Sequence, residues 1–104
     1  MLERYEKYTA LKCKLVTAIP VYFRVNYNAE TKNSSAHILK YTCPRHYAVV
    51  FSGGYYNYHK NNPYVINNVI LHELAHIIHP YDHNAGFRKV AQLLGAAPRY
   101  CKMR

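Results

Sequence analysis

With 104 residues, half of them hydrophobic, the chain has enough apolar side chains to build one core, which excludes the intrinsically disordered class. Fourteen Lys and Arg against five Asp and Glu give a net charge of +9, which favours an anionic partner such as nucleic acid or an acidic protein. The charged N-terminal segment and the lack of any long apolar run exclude a signal peptide and a transmembrane helix. We therefore expect a cytoplasmic protein of one domain, residues 1–104, acting as a monomer with no membrane partner.

The first half of the chain predicts a helix followed by a small sheet. Leu and Tyr recur at three- and four-residue spacing over residues 2–15, which is typical of an amphipathic helix, and we expect this helix to end before Pro20. Alternating apolar and polar residues then predict three strands separated by polar turns, at residues 21–27, 37–43 and 47–52, with the first turn at residues 28–35. The three cysteines are odd in number and form no CxxC pair, so neither a disulfide framework nor a second metal site is indicated.

The second half predicts a buried helix that carries a metal-binding motif. Residues 65–78 are apolar almost all the way round, and Pro63 is suited to the first turn of the helix. Within this run stands His72-Glu73-Leu74-Ala75-His76, which on a helix places two imidazoles one turn apart, with a carboxylate beside them. Buried polar groups of this kind are costly unless they are paired or near a metal. The pattern predicts a zinc site with Glu73 as general base, although two hydrogen-bonded core histidines would be the structural alternative.

A catalytic zinc usually takes a third protein ligand, and His83 is the best candidate. His79 lies on the same helical stripe as His72 but about 10 Å further along the axis, so we expect it to line the cleft instead. Pro80 cannot continue the helix, and the turn after it can bring His83 back toward the metal. Asp82 is the acidic alternative, and His83 could instead simply start the next helix, residues 84–94, which Gly95 closes.

These motifs resemble the SprT-like zinc metalloproteases, the family that includes Spartan. The likeness is specific over residues 69–76 and over His83 with Phe87 four positions later, and it is weaker over the front half of the chain. The resemblance implies that His72, His76 and His83 bind zinc, and that Glu73 activates water for peptide hydrolysis. It also implies an α+β, zincin-like (minigluzincin-like) domain with an N-terminal helix, a three-stranded sheet, a buried active-site helix and a C-terminal helix.

The chain differs from this family in two places. Family members often have Gly after the third His, where this sequence has Asn84, and many continue into a zinc ribbon. A ribbon needs four ligands, which the single Cys101 near the end cannot supply, so we expect a minimal form without it. Zinc proteases often hold the substrate backbone along an edge strand beside the active-site helix, and residues 49–52 are the candidate here, with an ordinary inner strand equally open.

The sequence-based hypothesis is a zinc metalloendopeptidase that cleaves protein substrates and uses one zinc ion, with DNA-associated proteins as one class of substrate. His79, Tyr81 and Tyr100 are candidates for donating a hydrogen bond to the tetrahedral oxygen. The charge and the tyrosines also suggest DNA, single-stranded preferred, with Tyr56, Tyr58 and Lys60 as candidate contacts, although tyrosines that fill a small core are the commoner outcome. The alternative function is a non-catalytic, zinc-stabilised nucleic-acid-binding or adaptor module.

Overall fold

Three strands and five helices make up an α+β fold in the computed structural model, which describes residues 2–27, 35–81 and 83–101. Asp82, the acidic alternative ligand, and most of the predicted turn at residues 28–35 lie outside the described residues. In chain order the elements are α1 (Leu2–Cys13), β1 (Val21–Asn26), β2 (Ala36–Thr42), β3 (Arg45–Ser52), α2 (Gly53–His59), α3 (Pro63–Ala75), α4 (Ala85–Leu94) and α5 (Pro98–Cys101).

The three strands form one sheet with the order β1-β3-β2, in which β3 pairs parallel with β1 and antiparallel with β2. Phe23 and Ile38 both lie opposite Val49, so these three side chains share the face that packs on the helices. Residues 48–52 of β3 are all buried, as expected for a strand with neighbours on both sides. The prediction that residues 49–52 form a substrate-binding edge strand is therefore wrong, and β2 is an edge strand that contacts α3.

The core lies between the sheet and α3, which is buried along most of its length. Tyr5 of α1 is fully buried, packs with its ring centre 5.6 Å from that of Phe23, and donates its hydroxyl to the carbonyl of Lys60 at 2.7 Å. Ile70 and Leu74 of α3 are also fully buried. This packing fixes the C-terminal end of α3 inside the domain, where the metal-binding motif stands.

The helices differ from the prediction in the end of α3 and in two additional short helices. α3 ends at Ala75, and His76 is its C-cap, because the backbone continues in tighter turns up to His79. The two short helices α2 and α5 were not predicted. The end of α4 is as predicted, with Gly95 at a φ of 102°, a left-handed conformation that only glycine adopts without strain.

Two further features bear on the expectations from composition. Cys13, Cys43 and Cys101 form no disulfide with one another. Among the described residues, no helix combines the length and the apolar character needed to cross a membrane.

Candidate metal centre

His72, His76 and His83 come together at the C-terminal end of α3. Each offers one ring nitrogen, and the three nitrogens lie within 4.8 Å of one another. Nitrogens bound tetrahedrally at about 2.0–2.1 Å from zinc lie about 3.3 Å apart, so small side-chain rotations would bring this set onto one ion. The first two histidines are separated by one helical turn, and the third arrives from the segment between α3 and α4.

Two of the imidazoles are oriented by backbone carbonyls. Nδ1 of His72 lies 2.7 Å from the carbonyl oxygen of Tyr100, and Nδ1 of His76 lies 3.0 Å from that of His79. Because a carbonyl can only accept, each Nδ1 carries the hydrogen, and the Nε2 of each ring keeps its lone pair for another partner. Hydrogen bonds of this kind commonly orient metal-ligating histidines.

The remaining ring nitrogens are buried without a partner. Among the described residues, Nε2 of His72 and Nε2 of His83 are shielded from solvent and make no hydrogen bond. An unsatisfied buried nitrogen usually costs about 1–3 kcal/mol, so two of them on rings whose centres are 5.2 Å apart call for a physical explanation. A bound cation would satisfy both, and the cluster is compatible with a metal ion on this ground as well as by distance.

Phe87 forms the apolar floor of the cluster. Its ring centre lies 5.0 Å from that of His72, 4.6 Å from that of His76 and 4.8 Å from that of His83. The side chain of Asn84 accepts the backbone N–H of Phe87 at 3.0 Å and so caps the N-terminus of α4. Asn84 therefore has a clear structural function, because it starts the helix that holds Phe87 under the three imidazoles.

Burial keeps the imidazoles of α3 neutral. It lowers the pKa of His72 to about 4, with further lowering from His76 and His83, against the opposing effect of its bond to the Tyr100 carbonyl. Burial also lowers the pKa of His76, and the neighbouring His83 adds to this. Neutral imidazole is the form that binds a metal, so these rings are ready for a ligand role at neutral pH without first losing a proton.

Glu73 lies next to the three histidines but makes no short bond to them. Its carboxylate oxygen Oε2 is 4.0 Å from Nε2 of His72, and the residue is only 7% exposed. Burial raises the pKa of Glu73 to about 8. A cation held by the imidazoles would favour the ionised carboxylate, so metal binding and the ionisation of Glu73 are expected to be coupled.

Glu73 and His76 face a cleft of about 770 Å³ between the end of α3 and the inner side of β2. Tyr81 also lines this cleft and is 92% exposed, so its phenol lies at the solvent side of the cleft. Lys40 of β2 lines the opposite wall and is exposed. Among the described residues, the cleft thus has one buried acid beside the candidate ligands, and an exposed phenol and a cation near its surface.

The structure places the other two candidate hydrogen-bond donors differently. The ring of His79 packs against Gly86, where a Cβ would lie 2.8 Å from Cε1 of that ring, and His79 is not among the residues that line the cleft. The ring of Tyr100 is buried against Tyr64, with the ring centres 6.1 Å apart. Both residues instead support the cluster through their backbone carbonyls, a role that sequence patterns do not reveal.

Asn68 is a supporting residue that sequence analysis missed. Its side-chain amide donates to the carbonyl of Tyr64 at 2.7 Å and accepts the backbone N–H of Ala97 at 2.7 Å. These bonds fasten the start of the C-terminal segment to α3, one helical turn before His72. A buried amide in an apolar helix was the available signal, but its partner 29 residues away could not be identified from the sequence.

The candidate nucleic-acid contacts do not form one surface. Tyr56 is 2% exposed and packs between Tyr5 and Phe23, so it offers no free ring face to a base, and this part of the prediction is wrong. Tyr58 is 84% exposed. Lys60 follows α2 as its C-cap and is partly buried. The helical periodicity of α2 turned Tyr56 into the core and Tyr58 outward.

Comparison of the chain with protein-family models, with curated proteins and with solved structures found no match.

Proposed function

We propose that this protein is a zinc-dependent metalloendopeptidase of the SprT-like type, with a zincin-like active site. The observation that carries the proposal is the convergence of His72, His76 and His83 beside the buried carboxylate of Glu73 at the floor of an open cleft. Three imidazoles, with the fourth position left to water or substrate, are the ligand set typical of a catalytic zinc rather than of a closed structural site. When bound, zinc supplies Lewis acidity, which lowers the pKa of water and polarises a scissile carbonyl.

Glu73 acts as the general base in this proposal. It is too far from Nε2 of His72, at 4.0 Å, for a hydrogen bond, which leaves its carboxylate available to a water in the cleft. Once ionised, it accepts a proton from the attacking water and delivers it to the leaving amine. Tyr81 is the candidate donor to the tetrahedral oxygen, since it is the one of the three proposed phenol and imidazole donors that lines the cleft.

The strand at the wall of the cleft favours an extended peptide as substrate. Ile38 and Lys40 of β2 stand at its wall, and among the described strands β2 pairs with β3 alone. An extended peptide can add to such an edge as a further strand, with its backbone held by hydrogen bonds and its side chains alternating between the cleft and solvent. The position of Glu73 at the base of the same cleft would bring the carboxylate to the peptide backbone.

Zinc binding tests the ligand assignment. After dialysis against a weak chelator, the wild type should retain one zinc per chain, and His83→Ala should lose it, because two imidazoles remain. His79→Ala is the matched control, since it removes an imidazole nearby but keeps the carbonyl that His76 uses. Equal loss of zinc in the two variants would contradict the assignment of His83.

Hydrolysis tests the role of Glu73. With labelled, unfolded casein as the probe, Glu73→Gln should keep its zinc and lose about 10²- to 10⁴-fold in turnover, as expected for a general base. Equal turnover in wild type and variant would remove Glu73 from the reaction. If both proteins bind zinc and neither cleaves casein or itself, the alternative function, a zinc-stabilised binding or adaptor module, would be favoured, consistent with the net charge of +9.

A further inference from the structure

The face of the sheet that points away from the helices carries aromatic and basic side chains. Side chains alternate along each strand, and the register places Tyr22 and Leu39 opposite Ala48, and Tyr41 opposite His46, all on this outer face. Tyr22 is 49% exposed and Tyr41 is 38% exposed. Both phenols could have packed in a small core, but the structure leaves them on the surface.

Three of these side chains form a row across the strands. The rings of Tyr41 and His46 are stacked, with centres 4.4 Å apart and planes 8° from parallel. Tyr22 meets His46 edge-on at 5.4 Å, and the guanidinium of Arg24 lies 5.9 Å from the Tyr22 ring centre. The two ends of the row thus present tyrosine rings to solvent, and one of them has a cation beside it.

A groove adjoins the row at the β1 edge of the sheet. It lies between α1 and β1, has a volume of about 970 Å³, and shares Tyr22 and Arg24 with the row. Lys7 of α1 and Lys14 in the turn after it line the same groove, and Glu6 is the only acidic residue among the described residues that line it. Lys7 also pairs with Glu3 at 3.3 Å, but both side chains are exposed, so this pair is worth little.

We propose that the row and the groove together bind single-stranded nucleic acid, with bases stacked on the rings of Tyr22 and Tyr41 and phosphates near Lys14 and Arg24. Stacked bases need flat aromatic faces, which this surface offers and which an acidic peptide would not use. Paired bases in a duplex do not expose their faces, so single strands are preferred. The three strands themselves contain cations and no acidic residue, which complements a chain of phosphates.

This surface is separate from the proposed active site. Tyr22 and Tyr41 lie on the outer face of the sheet, whereas Glu73 and His76 face the cleft on its inner side. Binding therefore does not depend on hydrolysis, and the proposal stands or fails independently of the proposed function. The site also differs from the tyrosines of α2 that sequence analysis suggested.

Fluorescence anisotropy with labelled oligonucleotides of about 12 dT or rU residues tests the proposal, with a hairpin duplex as comparison. Tyr22→Ala and Tyr41→Ala should each weaken binding about 5- to 150-fold, since stacking contributes about 1–3 kcal/mol per base and 1.4 kcal/mol is a factor of ten. Arg24→Gln should lower the slope of log affinity against log salt by about 0.7, as expected when one phosphate contact to a single strand is lost. The dT and rU arms distinguish DNA from RNA.

Two control variants distinguish the loss of stacking from other effects. Tyr22→Phe retains the ring and should retain binding, which separates the loss of stacking from a folding defect. Tyr58→Ala removes a more exposed tyrosine on α2 and should leave the affinity unchanged. The proposal would be overturned by equal losses in Tyr22→Ala and Tyr58→Ala, by duplex binding as tightly as single strands, or by displacement of the oligonucleotide with a poly-glutamate peptide of the same charge. The absence of binding to any oligonucleotide at about 50 mM salt would also overturn it.

Discussion

The buried carboxylate of Glu73 should make the metal-free protein lose stability as the pH rises above neutrality. Burial raises the pKa of Glu73 from its ordinary value of 4.5 to about 8. Between these values the unfolded chain releases the proton and the folded chain keeps it, so the free energy of unfolding falls as the pH increases. Replacing Glu73 with Gln keeps the size of the side chain and removes the titrating group.

The size of the effect depends on His72, which works in the opposite direction. Burial lowers the pKa of His72 from 6.5 to about 4, so its contribution to stability grows as the pH rises from 4 to 6.5 and is complete above that value. The two slopes oppose each other below pH 6.5, and the lowered pKa of His76 adds to the rise there. From pH 6.5 to pH 8 only the slope of Glu73 remains, at about 1.36 kcal/mol per pH unit, a loss of ~2 kcal/mol.

Urea unfolding of chelator-treated protein at a series of pH values measures this loss. The wild type should be most stable near pH 6.5, and Glu73→Gln should show little change from there to pH 8. Glu6→Gln, which replaces an exposed glutamate on α1, is the matched control and should follow the wild type. The reasoning would be refuted if the wild type and Glu73→Gln lost stability equally over this interval, or if the wild type became more stable.

Two further substitutions test the residues that support the ligands. Asn68→Leu should lower the free energy of unfolding by about 1–3 kcal/mol, because the N–H of Ala97 loses its buried acceptor, and it should weaken zinc binding about 10- to 100-fold as α5 loosens behind His72. Urea titration and a zinc competition assay measure the two effects, and unchanged zinc affinity would argue against the support. Gly86→Ala should destabilise by only about 0.5–1.5 kcal/mol, because its Cβ would lie 2.8 Å from Cε1 at the far end of the His79 side chain, which can turn away, and His79→Ala should remove this loss in a double-mutant cycle. Additive effects of the two changes would show that this contact is not the cause.

Local sequence patterns predicted the elements that depend on near neighbours. The spacing of His72 and His76 and the stop at Gly95 follow from helix geometry and backbone sterics, which act over a few residues. For the same reason the predicted strands agree with the observed ones to within a few residues. The three histidines that the sequence singled out do lie together in the structure.

Tertiary structure decided the features that depend on distant partners. The periodicity of β2 and β3 shows which side chains are buried but not which strand lies at the edge, because strand order is set by pairing across the chain. The tyrosines of α2 illustrate the same point, since only packing against Tyr5 and Phe23 distinguishes Tyr56 from the exposed Tyr58. His72 is oriented by the backbone carbonyl of Tyr100, which lies 28 residues later in the chain. Because every residue has such a carbonyl, no sequence pattern identifies this one, and only the folded chain brings the two groups together.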